Sequence, residues 1–404
     1  MTRDVPAGLA DGLPAALAGR LPAGLAESLL ADLEPLVRCE SPSADVAALH
    51  RCADLVAELG AARLGAPAIR DEAGGKPVLR FGPPDAPVLL LAHLDTVHPL
   101  GTLDRVPYRL TGGRITGPGV FDMKTGLVMA LHALAARPQA AALLVTSDEE
   151  IGSLDSRPVI EAAARRASAV LVLEASSGGR LKTARKGVSN YQLELRGRAA
   201  HAGLEPDKGA NACIALAHVV LSAAALADPA AGTTVTPTVA SAGTTANTVP
   251  DHAGLALDVR AATIAEQRRV DDGVRALSTG VEDVTLAVHG GINRPPLPAA
   301  ASRRLFGLAQ QAAAELGLGP IEGEEVGGGS DGNFTAAVGA ETLDGLGAVG
   351  AGAHTEHEWA DAAALAGRTA LLVRLIDLIT QAGPAQPPPA EAPAKAVPAE
   401  GDQL

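Results

Sequence analysis

The sequence predicts an α/β fold: a mainly parallel sheet with helices on both faces, carrying a smaller antiparallel α+β layer as an insertion. Three observations predict it. Over 87–174, short unbroken apolar runs alternate with helical stretches, as in strand–helix–strand units whose strands are covered on both sides. From 188 onward the pattern changes to polar–apolar alternation, as in strands with one wet face. The apolar runs of the first region also finish in the same kind of residue: His93 and Asp95 in PVLLLAHLDTVHP, Asp122 in GPGVFDMKTG, Glu149 and Glu150 in AALLVTSDEEIGS. A sheet whose strands end this way on one edge gathers oxygen and nitrogen donors in one cleft.

Taken in order, 24–37 carries leucines at helical spacing, and a second amphipathic helix over 45–60 turns Ala47, Leu49, Cys52, Leu55 and Val56 inward. A short strand at 76–82 precedes the turn GPPDAP, and 87–93 is the first core strand. Lys124 to Ala136 forms a helix ended by Pro138, followed by a strand at 141–147, a helix at 156–166 and a strand at 168–174 ending at Glu174. An alternating strand at 188–198, a helix at 209–227, strands at 233–243 and 253–261, a helix at 264–278 and a strand at 284–289 come next. This strand–helix–strand–strand–helix–strand order fits a ferredoxin-like layer, placed as an insertion over 184–296 between 1–183 and 297–383 of the main domain. NRPPLP (293–298) is the return linker; a helix at 300–316, the glycine run GGGSDGNF (327–334), a last inner strand at 342–349 and a helix at 360–382 complete the main domain. The Pro/Ala-rich tail 384–404 is expected to be disordered.

The bulk numbers narrow the partners. A chain of 404 residues, 47% apolar, buries a large core and divides into two domains, while 2% aromatic content leaves the core to aliphatic side chains and alanine. A net charge of −13 speaks against a nucleic-acid backbone as partner. Cys39, Cys52 and Cys213 are odd in number and widely spaced, so reduced, mostly buried thiols are expected and not a disulfide framework. The first residues are broken by Pro6, Pro14 and Pro22, unlike a signal peptide, and no run reaches the roughly 18 apolar residues of a membrane span. A soluble, cytoplasmic protein is expected.

His93 and Asp95, two apart on a strand, point the same way, so one holds a metal while the other orients it. Asp122, in a glycine-rich turn, reads either as a helix cap or as a carboxylate bridging two ions. Glu149 and Glu150 are adjacent carboxylates after a buried strand, which repel unless a cation is near. One then ligates and the other carries a proton.

In chain order, HLDTV, GPGVFDMKTG, SDEEIGS, LEAS and GAHTEHEW make the sequence, over about 25–383, resemble the M20 family of zinc aminoacyl hydrolases. It is most similar to the glutamate carboxypeptidase branch, which includes aminoacylase-like and deacetylase-like members. GRAAHAG (197–203), ANTVP (246–250) and DVRA (258–261) extend the likeness into the insertion. The resemblance implies a zinc-exopeptidase-like fold and two zinc ions per subunit, one held by His93, Asp122 and Glu174, the other by Asp122, Glu150 and His354. Cobalt or manganese would suit the same donors. It implies Asp95 as the partner of the His93 imidazole, Glu149 as general base, His201 as an oxyanion donor sent into the partner subunit's site, and Arg260 as the clamp on a substrate carboxylate, assisted at the same place by Asn247. The GGGSDGNF loop reads either as a plain tight turn or as a place where Gly329 and Ser330 offer backbone N–H groups to the substrate. His354 is preferred to His357 because H-T-x-x-E matches the family pattern, and His98 is expected on the rim. The expected partners are a peptide or N-acyl amino acid and a second copy of the chain, with neither nucleic acid nor membrane. N-acyl amino acid deacylases, desuccinylases and dipeptidases share these motifs; a non-catalytic relative would lack a ligand or Glu149, and none is missing.

Overall fold

A computed structural model describes residues 24–384. The stretch 1–23 and the tail expected to be disordered, from 385 on, lie outside the described residues. The strand Val88–His93 shows how the main sheet is built. Its residues are all buried: Val88, Leu90 and Ala92 face one core, Leu89 and Leu91 the other. A strand with period-two side chains and no polar face must be covered twice. One cover consists of the helices Leu25–Arg38, Val46–Leu64, Thr125–Ala136 and Ala364–Ala382; the other includes Arg157–Ala164 and Gly332–Ala337, through Ile160 and Phe334.

The strands run in the order Ile69–Ala73, Lys76–Phe81, Ala141–Thr146, Val88–His93, Ala169–Val172, Thr342–Leu343. The last four are mutually parallel, and the first two form an antiparallel edge. Parallel pairing of Val88 with both Ala141 and Ala169 brings the carboxyl ends of three strands to one edge. His93, the Glu149–Glu150 pair and Glu174 follow those ends directly.

The second sheet has the order Thr234–Ala242, His252–Ala261, Gly187–Arg196, Thr285–Arg294, with every neighbour antiparallel. Tyr191, Leu193, Leu195, Leu255, Leu257 and Val259 pack with the helices Ala212–Ala224 and Ile264–Arg275 into a core of their own.

The structure departs from the sequence reading in several places. The stretch 342–349 is no inner strand: only Thr342–Leu343 pairs, at the sheet edge, because Asp344 turns away to accept two N–H bonds from Arg185 and the Ser330 hydroxyl. The last strand of the insertion continues to Arg294, since its ladder with Gly187–Arg196 outlasts the apolar alternation, which stops at Gly290–Gly291. Four short strands, Arg109–Thr111, Arg114–Thr116, Gly350–Ala351 and Trp359–Asp361, form a small sheet flanking His354, each too brief to show a period. Of the cysteines only Cys52 is fully buried; Cys39 is half-buried and Cys213 exposed. Among the described residues no helix is long and apolar enough to cross a membrane.

Gly126 lets the helix Thr125–Ala136 press against the sheet: a Cβ there would stand 2.0 Å from the Leu173 carbonyl oxygen. Gly126→Ala is expected to lower stability by about 1–3 kcal/mol in urea unfolding. Gly307→Ala, in the helix Ala299–Leu316 with open space around it, should instead be neutral or stabilising by up to about 1 kcal/mol.

Candidate metal centre

Five donor side chains converge at the carboxyl edge of the main sheet. His93 Nε2 lies 3.4 Å from Asp122 Oδ1 and 3.5 Å from Glu174 Oε1. His354 Nε2 lies 3.4 Å from Asp122 Oδ2 and 3.1 Å from Glu150 Oε2. The two triads therefore share Asp122, one oxygen each. Within each, the ligand atoms lie within 4.8 Å of one another, the spacing of donors around one ion.

The scaffold fixes each donor. His93 Nδ1 is 3.0 Å from the Asp95 backbone carbonyl and 3.4 Å from Asp95 Oδ1, which turns Nε2 into the cluster. The Asp95 carboxylate, fully buried, is itself held by the Ser43 hydroxyl at 2.7 Å and by the N–H groups of Glu149 and Glu150 at 3.3 and 3.2 Å. One side chain thus ties the first strand end to the acidic pair. Buried Glu358 does the same for Asp122: its carboxylate accepts the N–H groups of Gly119, Phe121 and Asp122 and bonds His98 Nε2 at 2.8 Å. His98 is consequently buried behind the turn and not on the rim. His354 takes a left-handed backbone, φ 64°, which non-glycine residues adopt sparingly and which marks functional loops. His357 is exposed.

The electrostatics fit a cation. His93 Nε2, Asp122 Oδ1 and Glu150 Oε1 are buried and have no hydrogen-bond partner. Such orphaned atoms are costly unless something else binds them. Burial would depress the His93 imidazole, yet the carboxylates of Asp122, Asp95 and Glu174 crowded around it carry it well above the usual histidine range. Hydrogen bonds to Asp122 and Glu150 raise His354 to about 11. Without metal, protons on the imidazoles offset the crowded carboxylates. Divalent ions are a stronger substitute and leave the imidazoles neutral.

Beside the triads opens a cavity of about 960 Å³ lined by Glu149, Glu150, Arg260, Arg294, Gly329 and His354, among others. Burial pushes the Glu149 carboxyl well above the usual range, against the pull of Arg294, whose guanidinium lies 2.9 Å from Oε1. Arg294 also meets Asp331 and Ser153. Sequence reading missed this arginine, although it sits in the NRPPLP linker directly before the prolines. Arg260 reaches the cavity while Asp258 accepts bonds from its Nε and Nη2.

One expected substrate contact is corrected. Ser330 is fully buried, its N–H bonded to Asn333 Oδ1 and its hydroxyl to Asp344, so it has nothing to offer a substrate; Gly329 remains on the cavity wall. Within one chain Asn247 stands apart from Arg260. It precedes the strand His252–Ala261 and Arg260 is near that strand's end, roughly 25 Å away at the strand rise. Asn247 sits beside exposed His201, its carbonyl accepting the Ala202 N–H at 2.9 Å, where Ala200–His201 pairs antiparallel with Thr248–Val249. Neither His201 nor Asn247 lines the cavity of its own chain.

The model of peptidase family M20/M25/M40 matches residues 89–378, which span every donor named above. The chain belongs to that family. Carboxypeptidase G2 of a Pseudomonas species is 31% identical over 308 residues, 72% of this chain and 73% of that one. Succinyl-diaminopimelate desuccinylase of Xanthomonas euvesicatoria is 30% identical over 325 residues, 72% of this chain and 84% of that one. An M20 family metallo-carboxypeptidase structure from Sulfolobus solfataricus covers 87% of this chain and 100% of its own, with a TM-score of 0.73 at 17% identity, a likeness of fold alone. This M20 chain is thus a metallopeptidase-type amide hydrolase whose candidate ligands are the two triads.

The Glu358 brace makes a specific expectation. Glu358→Ala removes the acceptor for three buried N–H groups, so denaturant unfolding should show a loss of about 2–4 kcal/mol. Calorimetric titration should show divalent-ion affinity weakened about tenfold or more. Unchanged affinity would separate Glu358 from the Asp122 turn.

Proposed function

We propose that this M20 hydrolase carries two zinc ions, with cobalt or manganese as substitutes, and cleaves an amide bond next to a free carboxylate. The substrate is a peptide losing its C-terminal amino acid, glutamate among the candidates, or an N-acyl amino acid. The observation that carries the reading is the sharing of Asp122 between two complete donor triads. An N-acyl amino acid deacylase or desuccinylase would use the same groups, and the Xanthomonas relative keeps that alternative in view.

Two ions in these triads would supply Lewis acidity and bring the pKa of water toward about 7. The chain's own groups do the rest. Glu149 takes the proton of the attacking water and delivers it to the leaving amine; its burial gives it the proton affinity both steps require. Arg260, with Asp258 occupying Nε and Nη2, keeps Nη1 free for the substrate carboxylate. His201 accepts the N–H groups of Gly203 and Leu204 on Nδ1, which leaves Nε2–H as a donor to a tetrahedral oxygen.

His201 reaches a cavity only in a homodimer, where each chain completes its partner's site. The inserted layer, 184–296, offers the surface: the edge strand Thr234–Ala242 exposes Val239, and the helix Ala212–Ala224 exposes Ile214 and Leu221. The described residues of 1–183 and 297–383 form the catalytic domain, and the layer is also a lid. Arg185 and Leu297 exchange backbone hydrogen bonds, so its two connections run side by side, as a hinge would. Three free cysteines accord with a cytoplasmic location.

Glu149→Ala should bind zinc with unchanged stoichiometry while kcat on an N-acyl amino acid or glutamate-terminated peptide panel falls by on the order of 10² or more. A chelator should abolish turnover by the native protein on the same panel. Retained turnover in either case sinks the assignment. His201→Ala homodimers and Glu149→Ala homodimers should both be inactive, whereas mixing them by subunit exchange should restore part of the activity. No recovery would place His201 outside the partner's site.

A further inference from the structure

Arg294 is the side chain that holds the Glu149 carboxylate. It closes the strand Thr285–Arg294 of the inserted layer, where the ladder with Gly187–Arg196 shifts register between Ile292 and Arg294. From this irregularity two side chains cross to the catalytic domain. Asn293 Nδ2 donates to the Gly152 carbonyl at 3.0 Å. Arg294 Nη2 lies 2.9 Å from Glu149 Oε1, 3.1 Å from the Glu149 carbonyl oxygen, 3.0 Å from Ser153 Oγ and 3.1 Å from Asp331 Oδ1. The hydrogens of that nitrogen are shared among these acceptors, so the guanidinium is wedged between two carboxylates. Arg294 is 6% exposed, and its guanidinium packs over the Phe334 ring at 5.2 Å. Gly329 makes the room: a Cβ there would stand 2.9 Å from Arg294 Cδ.

We propose that Arg294 is a positioning residue: its bonds to Glu149 fix the carboxylate where the base must stand, and they make the inserted layer, to which Arg294 belongs, part of that base's support. The proposal rests on the reading of Glu149 as general base. Arg294 stays protonated and acts through Glu149, with no part in the proton transfer itself.

A glutamate carboxylate sits at the end of a chain of rotatable bonds, and the Glu149 backbone does not settle where it points. That backbone is held separately. Its N–H donates to Asp95 Oδ1 at 3.3 Å, and its carbonyl accepts the Gly152 N–H at 2.8 Å as well as Arg294. Truncating Arg294 therefore leaves the turn in place and frees the carboxylate. It also removes the cation between Glu149 and Asp331, whose repulsion then drives the freed carboxylate aside. Arg260 and Arg275, also on the cavity wall, are no substitutes, since each is bonded to an aspartate of its own element, Asp258 and Asp271. Proton transfer needs heavy atoms about 2.6–3.2 Å apart. A misplacement of about 1 Å costs on the order of 10²-fold in rate.

The test compares the native full chain, with zinc supplied, with Arg294→Ala and Arg294→Lys. Crystal structures of Arg294→Ala should show the Glu149 carboxylate displaced by about 1 Å or more, with the backbone of 148–153 unmoved. Arg294→Lys, whose ammonium still donates to both carboxylates, should return it. On a substrate that the native chain hydrolyses, Arg294→Ala should lower kcat on the order of 10²-fold and keep KM within about threefold, and Arg294→Lys should recover about tenfold. In a Glu149→Ala background, Arg294→Ala should cost nothing further, because nothing is left for it to position. Should Arg294→Ala fail to fold, Arg294→Ala with Asp331→Asn removes the unpaired carboxylate and is read the same way. A carboxylate that stays in place, losses that multiply in the double variant, or a rise in KM in place of the fall in kcat would each overturn the proposal. A native chain that turns over nothing on the panel refutes the reading of Glu149 alone, and the crystal structures still decide whether Arg294 places the carboxylate.

Discussion

Like charge crowded into a dry place is the constraint on which the rest of the structure depends. Asp122, Glu150 and Glu174 point at one another from three different segments, with Asp95 and Glu149 directly behind or beside them. Carboxylates so placed repel strongly at low dielectric unless cations stand between them. The fold answers with imidazoles inside the cluster and with Lys182 and Arg185 near Glu174, at 4.0 and 3.8 Å. It leaves His93 Nε2, Asp122 Oδ1 and Glu150 Oε1 without partners. Two triads that share Asp122, with three buried atoms left unsatisfied, make a candidate site for ions.

Holding that arrangement takes more residues than the donors themselves. Asp95 and Glu358 are both almost wholly buried, and each gathers backbone N–H groups from the segment bearing a ligand. Ser43 supports Asp95 from the first helical hairpin, and His98 supports Glu358. The metal centre is therefore coupled mechanically to the amino-terminal helices and to the small sheet around His354.

Much of the site was legible before any coordinates. His93, Asp122, Glu149, Glu150, Glu174 and His354 stand at the ends of apolar runs or in glycine-rich turns, where a polar residue interrupts a pattern and so attracts notice. Arg294 escaped because it closes a strand whose alternation had already failed at Gly290–Gly291. Ser330 misled for the opposite reason: a glycine run suggests exposed backbone, yet the buried Arg185–Asp344 pair pulls Gly328, Gly329 and Ser330 inward through their own polar groups. His98 looked peripheral since its partner, Glu358, lies 260 residues away in sequence.

By itself the sequence determined the two kinds of sheet, because a strand's periodicity records how many of its faces are wet, and that is local information. It also determined the identity of the donors, since only a few side chains bind divalent ions. Tertiary structure alone decided that His98 stands behind the Asp122 turn on Glu358, that Ser330 is sealed against Asp344, and that Asn247 sits beside His201 within one chain. Those facts are distances between residues far apart along the chain, set by strand order and register, and no local pattern encodes them.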